Sequence, residues 1–130
     1  MKRMDRQEIG KLGEKLAAKF LKRNGYRIIK RNSHHSHNEI DIIAKNRRYI
    51  VFVEVKARTT DTDMYLHFGS PASAVNRAKQ SRIIMAAKDY LIHTKHSDKQ
   101  PRFDVIEVFL NKDDYKTLKI NHIENAFGSR

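Results

Sequence analysis

The sequence predicts one α/β domain in which a mixed β-sheet is flanked by helices. Three observations predict this class: two long segments with helical periodicity, several short segments rich in β-branched residues, and the alternation of the two kinds along the chain. No internal repeat or low-complexity tract divides the 130 residues. We therefore expect residues 1–130 to form a single domain with one sizeable core.

The first helix is predicted for residues 7–24, where apolar residues recur every three or four positions. Gly25 follows directly, and a glycine there favours a left-handed helix cap. Residues 26–31 then predict a short strand, and the polar residues 32–37 predict a loop. The apolar positions of the helix are Ile9, Leu12, Leu16 and Phe20.

The sequence NEIDIIAKNRRYIVFVEVK, residues 38–56, predicts a β-hairpin with a polar turn at residues 45–48. After a break at Gly69-Ser70-Pro71, an apolar stripe predicts a second long helix over residues 76–93. Residues 94–101 have the composition of a connector, and residues 103–110 and 117–120 predict two more strands. The predicted order is therefore α-β-β-β-α-β-β.

The charge of the chain is its strongest bulk property. Lysine and arginine number 27 against 15 aspartate and glutamate, which gives a formal charge of +12 and a sequence pI near 10.1. Such an excess of positive charge predicts a polyanionic partner, with nucleic acid first among the candidates. The alternative is a solvated basic surface, as in many ribosome-associated or other soluble proteins. A basic accessory protein of the ribosome or of RNA is a third interpretation, which rests on charge alone.

The cellular compartment is constrained by two further features. The chain has no cysteine, which suits a reducing cytoplasm and excludes a disulfide framework or a thiolate metal site. Its longest apolar runs are about five residues, far below the roughly 20 that span a bilayer. We expect a soluble cytoplasmic protein with no membrane association and no export signal.

Three carboxylates and a lysine interrupt the apolar hairpin. A turn centred on residues 46 and 47 would pair position 44 with 49, 41 with 52, and 39 with 54. One face of the sheet then carries four charged side chains: Glu39, Asp41, Glu54 and Lys56. In that register Asp41 lies diagonal to Glu54, at roughly 7–8 Å between Cα atoms. Like charges directly opposite each other, such as Glu39 and Glu54 in this register, destabilise a sheet, and a cation between the carboxylates would remove that cost.

A hard divalent cation accounts for this cluster, because Mg²⁺ is usually held by one or two carboxylates together with water and phosphate oxygens. Lys56 projects beside the predicted ion, where an ammonium group can act on a water molecule or stabilise the charge that develops on a phosphate. The alternative is an exposed sheet face that ends in an ordinary Glu-Lys pair.

The two helices supply further candidates. Glu14 lies at the edge of the apolar stripe of the first helix, beside the small residues Gly10 and Gly13, so it either faces the acidic end of the hairpin or is an ordinary exposed glutamate. Gln80 falls on the inward stripe of the second helix, near its start, where it would reach the site or a phosphate. For Lys79 we expect a backbone phosphate contact or simple solvation.

The residues that carry this pattern resemble a known family. Glu39-x-Asp41 followed by Glu54-x-Lys56 is similar to the signature of the PD-(D/E)XK nuclease superfamily, and most of the chain resembles the bacterial YraN-like (UPF0102) family. The closer resemblance rests on an ordered set of motifs: Gly10-x-x-Gly13-Glu14-x-x-Ala17, Asn24-Gly25-Tyr26, Arg31-Asn32, residues 39–44, residues 52–58, Phe68-Gly69-x-Pro71, Ala74-Val75-x-x-x-Lys79-Gln80 and residues 102–105.

The resemblance implies a restriction-endonuclease-like αβββαβ core. By similarity to archaeal Holliday junction resolvases, it also implies a site for Mg²⁺ or Mn²⁺ formed by Glu14, Asp41, Glu54 and Lys56, with Glu39 as a further metal ligand. Four residues of the shared motifs are expected to contact nucleic acid: Arg31, Arg58, Lys79 and Gln80.

Two other groups of residues have less specific interpretations. His34, His35 and His37 suggest a metal site, but adjacent histidines in a loop have no spacing that fixes tetrahedral geometry, so an exposed loop that contacts nucleic acid is the preferred interpretation. Arg102 and Asp104 are expected to form a structural ion pair, with DNA contact by Arg102 as the alternative. Phe103 between them is expected in the core.

The function expected from the sequence is therefore metal-dependent endonucleolytic hydrolysis of phosphodiester bonds in structured or damaged DNA. The alternative is a non-catalytic nucleic-acid-binding adaptor on a nuclease-like fold. A homodimer is compatible with both, and the sequence fixes neither the oligomeric state nor the choice between DNA and RNA.

Overall fold

The computed structural model describes residues 2–35, 37–61, 75–96 and 98–128. The predicted break at Gly69-Ser70-Pro71 and the motif Phe68-Gly69-x-Pro71 lie outside these described residues. In the described part of the chain no helix is long and apolar enough to cross a membrane.

In the residues that the structure describes, two helices and five strands follow one another in the predicted order. They are α1 (Arg6–Arg23), β1 (Arg27–His35), β2 (Asn38–Lys45), β3 (Tyr49–Thr60), α2 (Arg77–Ile92), β4 (Gln100–Asn111) and β5 (Thr117–Phe127). The strands form one sheet in sequence order, with β3 and β4 parallel and the other neighbours antiparallel. A mixed α/β fold with a five-stranded sheet and two flanking helices is thereby confirmed.

Among the described elements, one helix packs on each face of the sheet. On one face α1 packs through Ala17 and Leu21 onto residues of β2, β3 and β4. On the other face α2 packs through Ile83 and Tyr90 onto Phe52 and its neighbours. The central strands are therefore buried on both sides, which explains why their sequences are apolar without alternation.

The start of α1 and the cap at its end position this helix on the sheet. Asp5 and Glu8 form a capping box at its N-terminus, and Gly25, at φ +88°, provides the predicted left-handed conformation after it. Gly13 faces β3 so closely that an added Cβ would lie 2.5 Å from the Cβ of Ala57. The absence of a side chain at Gly13 thus lets α1 approach the sheet beside Glu14.

The predicted loop over residues 32–37 is wrong for most of its length. Strand β1 continues to His35, because Ser33, His34 and His35 pair with residues 40, 39 and 38 of β2. The register shift of this pair lies between Ile28 and Lys30, and Asn32 has a left-handed φ of +51°, which asparagine tolerates better than most residues. Strand pairing with β2 outweighs the polar composition of this segment.

Candidate metal and nucleic-acid site

The β2–β3 hairpin has a different register from the predicted one. Ile42 pairs with Val53 and Ala44 with Val51, so each partner lies two positions further along β3 than expected. The turn causes this shift: the side chain of Asn46 accepts hydrogen bonds from the backbone N–H groups of Arg48 and Tyr49, which moves the centre of the turn towards residues 47 and 48. An even shift keeps the side chains of the paired residues 42–45 and 50–53 on their predicted faces.

The corrected register brings Asp41 beside Glu54 rather than diagonal to it. Hydrogen-bonded pairing between the strands ends at Ile42 and Val53, although β2 begins at Asn38 and β3 continues to Thr60. Beyond that point the side chain of Asp41 replaces the missing backbone partner, and its Oδ2 accepts a hydrogen bond of 2.9 Å from the N–H of Val55. The two carboxyl groups therefore lie together where the strands separate.

The environment of Asp41 favours its neutral form. Burial raises its pKa well above the usual range, and the hydrogen bond and negative charge of Glu54 raise it further, against a smaller opposing effect of the Val55 N–H. Glu14 adds to this negative potential. Burial and the neighbouring carboxylates thus act together to disfavour the charged form of Asp41.

Glu54 is the most deeply buried of the predicted site residues, with 5% of its surface exposed. Its Oε2 accepts no hydrogen bond among the described residues, yet Lys79 Nζ lies 3.2 Å away and forms an ion pair with it. Lys79 was expected to contact phosphate or solvent, so its contact with Glu54 is a new finding. A lysine from the first turn of α2 therefore neutralises the buried carboxylate.

Glu14 and Glu39 lie around this pair, at its periphery. The half-buried Glu14 has a pKa raised by burial and by the charges of Glu39 and Glu54, while Arg31 and Asn32 oppose the rise. The side chain of Glu39 is 45% exposed, and its carboxylate lies 3.9 Å from His34. Glu14 therefore faces the acidic end of the hairpin, as one of its two interpretations predicted.

On β3, side-chain alternation places Lys56 and Arg58 on the same face as Glu54. Arg58 Nε lies 2.9 Å from Oε2 of Glu107, which is 1% exposed and stands opposite Lys56 in the parallel ladder. Burial raises the pKa of Glu107, and the charge of Arg58 partly offsets this effect. Glu107 is thus a further buried carboxylate on the face that carries Lys56.

The sequence interpretation missed Glu107, although a signal was present. A glutamate in the segment FDVIEVFL, within a strand that is apolar on both faces, needs a compensating partner. Its position opposite Lys56 follows only from the parallel register of β3 and β4, which periodicity does not give.

The remaining predicted contacts have varied positions. Gln80 donates a 2.7 Å hydrogen bond to the carbonyl of Val75 and so holds the start of α2. Arg31 is exposed on β1 near Glu14. The ring of His35 bonds through one nitrogen to Ser33, at 2.7 Å, and through the other to Asp89, at 3.2 Å.

No group of three or more histidine, aspartate or glutamate side chains in the described part of the chain is close enough to hold a metal ion as it stands. The carboxylates of Asp41 and Glu54 are a pair, and Glu14 and Glu39 would have to move to join them.

Arg102 and Asp104 form the predicted ion pair. Both are buried, and the guanidinium donates two hydrogen bonds of 2.9 and 2.7 Å to the carboxylate. His122 and the backbone N–H of Asn125 complete the contacts of Asp104. The Phe103 ring stacks on Phe52 in the α2-facing core, as expected. This ion pair is structural and belongs to the α1 side of the sheet.

Comparison with known proteins identifies relatives over almost the whole chain. A family model described as "Uncharacterised protein family UPF0102" matches residues 13–108. A UPF0102 protein of Caldanaerobacter subterraneus subsp. tengcongensis is 42% identical over 127 residues, covering 98% of this chain and 100% of the relative. A UPF0102 protein of Clostridium acetobutylicum is 46% identical over 122 residues, covering 93% of this chain and 94% of the relative. This chain therefore belongs to the UPF0102 family.

Proposed function

We propose that this protein is a metal-dependent endonuclease that hydrolyses phosphodiester bonds in structured or damaged DNA. The observation that carries the proposal is the buried Asp41–Glu54 pair at the point where two strands separate, with Lys56 on the same face two residues later. The element order and the parallel β3–β4 pair also support a restriction-endonuclease-like core.

The donor set fits a hard divalent cation such as Mg²⁺ or Mn²⁺. Both available ligands are carboxylates, and Asp41 has no ion pair with another described residue to offset its burial. Oε2 of Glu54 has the ammonium of Lys79 as its partner, which a metal ion could replace. Asp41 and Glu54 would hold the ion, with Glu14 and Glu39 near enough to contribute through water. Such an ion, when bound, supplies a Lewis acid that polarises a phosphate oxygen.

The protein side chains would orient the reactants around that centre. Lys56 stands next to Glu54 on its face of β3, where its ammonium can hold an attacking water or stabilise the negative charge that grows on the phosphate. The carboxyl of Asp41, kept in place by the Val55 N–H, would hold the ion rather than take part in proton transfer. Arg58, positioned by Glu107, can contact the phosphate backbone beyond the site.

A nuclease assay over a panel of substrates tests the proposal. Labelled branched, flapped, single-stranded and duplex DNAs, and matching RNAs, are incubated with the protein in Mg²⁺, Mn²⁺ or EDTA. We expect cleavage of at least one structured DNA that EDTA abolishes and that Asp41→Asn and Glu54→Gln reduce to background. Cleavage that survives in both variants would point to a contaminating nuclease and remove the support for this site.

One observation favours the adaptor alternative. Lys79 already neutralises Glu54 without any metal, so the fold does not require a bound cation to tolerate this carboxylate. An adaptor would bind the DNA panel with equal affinity in EDTA and in Mn²⁺ and would cut nothing. Calorimetric titration with Mn²⁺ separates the two functions, because only the nuclease needs metal binding that Asp41→Asn removes.

A further inference from the structure

A small cleft lies between the β1–β2 turn and the first two turns of α2. Its volume is about 180 Å³, and it is lined by His37, Asn38, Glu39, Lys79, Arg82 and Ile83. At about 30 Å³ per water molecule in the liquid, the space corresponds to roughly six waters. It is large enough for a phosphate group with part of its sugar, and much smaller than the several hundred Å³ of a typical ligand pocket.

The cleft shares a wall with the carboxylate pair. Lys79 lines it and also forms the 3.2 Å ion pair with Glu54, so a ligand in the cleft lies directly beside the proposed metal site. Glu39, from the same end of β2 as Asp41, lines the opposite side. A strand whose phosphate is held at Asp41 and Glu54 would therefore pass into this cleft.

The charges in the cleft select a singly charged ligand. Arg82 is exposed and has no ion pair or hydrogen bond with another described residue, whereas Lys79 is balanced by Glu54. Lys79 and Arg82, three residues apart on α2, project from the same side of the helix. Because the carboxylate of Glu39 lines the same cleft and partly offsets the charge of Arg82, a phosphodiester with one negative charge fits better than a terminal phosphate, which carries about −1.5 to −2.

We infer that this cleft binds a backbone phosphodiester of the nucleic-acid strand, adjacent to the phosphate at the carboxylate pair, and that Arg82 is its principal contact. The inference rests on the proposed function for its ligand, but binding at the cleft requires no catalysis. The guanidinium of Arg82 donates to the phosphate oxygens, and Lys79 adds a second positive charge when it leaves Glu54. Ile83 provides an apolar contact for the sugar.

The test is phosphate interference in EDTA, where cleavage does not occur. A series of DNA oligonucleotides, each with one phosphodiester replaced by an uncharged methylphosphonate, is titrated against wild type, Arg82→Ala and Lys88→Ala. Lys88 is the matched control, because it is exposed on the same helix and does not line the cleft. Its replacement by alanine removes one positive charge, as Arg82→Ala does. Melting temperatures of the three proteins are compared to exclude unfolding.

We expect one methylphosphonate position that weakens wild-type binding severalfold and has no further effect on Arg82→Ala. Lys88→Ala should retain the wild-type pattern at every position. Arg82→Ala should also lower the salt dependence of binding by about one phosphate contact, a slope change of about 0.7 on single strands or 0.9 on duplex DNA.

Three results would overturn the inference: the same pattern for Arg82→Ala and Lys88→Ala, stronger competition by inorganic phosphate or a 5′-phosphorylated end than by the internal diester, or no binding of any oligonucleotide. The cleft and the nuclease proposal fail separately. If one methylphosphonate position depends on Arg82 but no DNA is cleaved in Mn²⁺, phosphodiester binding in the cleft is supported and the nuclease proposal is contradicted. If DNA is cleaved but no position depends on Arg82, the nuclease proposal is supported and binding in the cleft is contradicted.

Discussion

At the scale of single residues, the proposed site depends on a carboxyl group that the fold disfavours in its charged form. Asp41 is held beside Glu54, and the hydrogen bond from Val55 compensates only part of the burial and repulsion. Buried pairs of this kind raise the pKa of one partner, and such shifts are common at functional sites. In the metal-free protein, the free energy of unfolding should therefore be lower when Asp41 is charged than when it is neutral.

The pH dependence of stability should reveal Asp41. Its pKa is about 9 in the folded protein and near 4 in the unfolded chain, so the unfolded state loses the proton first. The free energy of unfolding contributed by this group is complete below pH 4 and falls as the pH rises towards 9, by at most about 1.4 kcal/mol per pH unit. Asp41→Asn, which stays neutral, should escape that fall.

Urea denaturation in EDTA at pH 5 and pH 8 measures this effect. The stability of Asp41→Asn relative to wild type should increase between the two pH values. In a parallel series without EDTA, Mn²⁺ should stabilise wild type only. Asp98→Asn, in an exposed position, is the control and should follow wild type. Parallel curves for wild type and Asp41→Asn would show that Asp41 titrates normally.

Lys56 should affect chemistry rather than folding. Replacing it with methionine keeps the apolar stem and removes the charge, so the melting temperature and Mn²⁺ affinity should change little. Any cleavage found in the substrate panel should fall by roughly two to three orders of magnitude, the scale for loss of one preorganised stabilising group. Lys116→Met, in the exposed β4–β5 turn, removes the same charge and should cut at the wild-type rate. Equal rates for all three proteins would leave Lys56 without a catalytic role.

At the scale of elements, the approach of α1 to β3 decides how near Glu14 comes to the site. Gly13→Ala would place a Cβ 2.5 Å from that of Ala57, and backbone rather than a flexible side chain must move to relieve it. We expect a loss of about 1–3 kcal/mol in the free energy of unfolding, the usual scale for overpacking.

The same helix provides the control, since an added Cβ at Gly10 meets nothing within 4 Å. Gly10→Ala should stabilise the protein by up to about 1 kcal/mol through helix propensity alone. Chemical denaturation of both variants, and of Gly13→Ala combined with Ala57→Gly, tests this difference. If Gly13→Ala were also stabilising, the close packing of α1 against β3 would be incorrect.

The bounds of the helices were predictable from the sequence, because local periodicity decides them. The register of the strands was less predictable, because it depends on how the strands pair. Apolar periodicity and the caps give α1 and α2 to within a residue or two, but the register of the β2–β3 hairpin depends on the side chain of Asn46 and was two positions out. The cluster of Asp41, Glu54 and Lys56 on one face survived this error because an even shift preserves faces.

The contacts of the site with other elements were not predictable in this way. Lys79 reaches Glu54 only because α2 packs across β2 and β3, and Glu107 stands opposite Lys56 only because β4 is parallel to β3. Neither relation leaves a periodic trace in the sequence. The ion pairs of Lys79 with Glu54 and of Arg58 with Glu107 are therefore visible only in the tertiary structure.

At the scale of the whole molecule, the question is whether the charge of +12 acts as a diffuse attraction or at a defined surface. Apart from Lys56, which the proposal assigns to the reacting phosphate, four basic residues lie around the proposed site in the described part of the chain: Arg31, Arg58, Lys79 and Arg82. Each phosphate neutralised contributes about −0.9 to the slope of log affinity against log salt on duplex DNA. A strand bound at this surface alone should give a slope of about −3 to −4.

Binding of a fluorescent duplex between low and moderate salt, in EDTA, measures this slope. Suppose that the slope is near −3 to −4, becomes less steep by about one unit in Arg82→Ala, and stays unchanged in Lys116→Met. The contact then lies on the side of the sheet that carries α2. A slope of −8 or steeper, reduced equally by both substitutions, would mean that the basic surface attracts DNA from all sides. In that case the net charge would serve to concentrate the substrate, and the choice of bond would rest on Asp41, Glu54 and Lys56 alone.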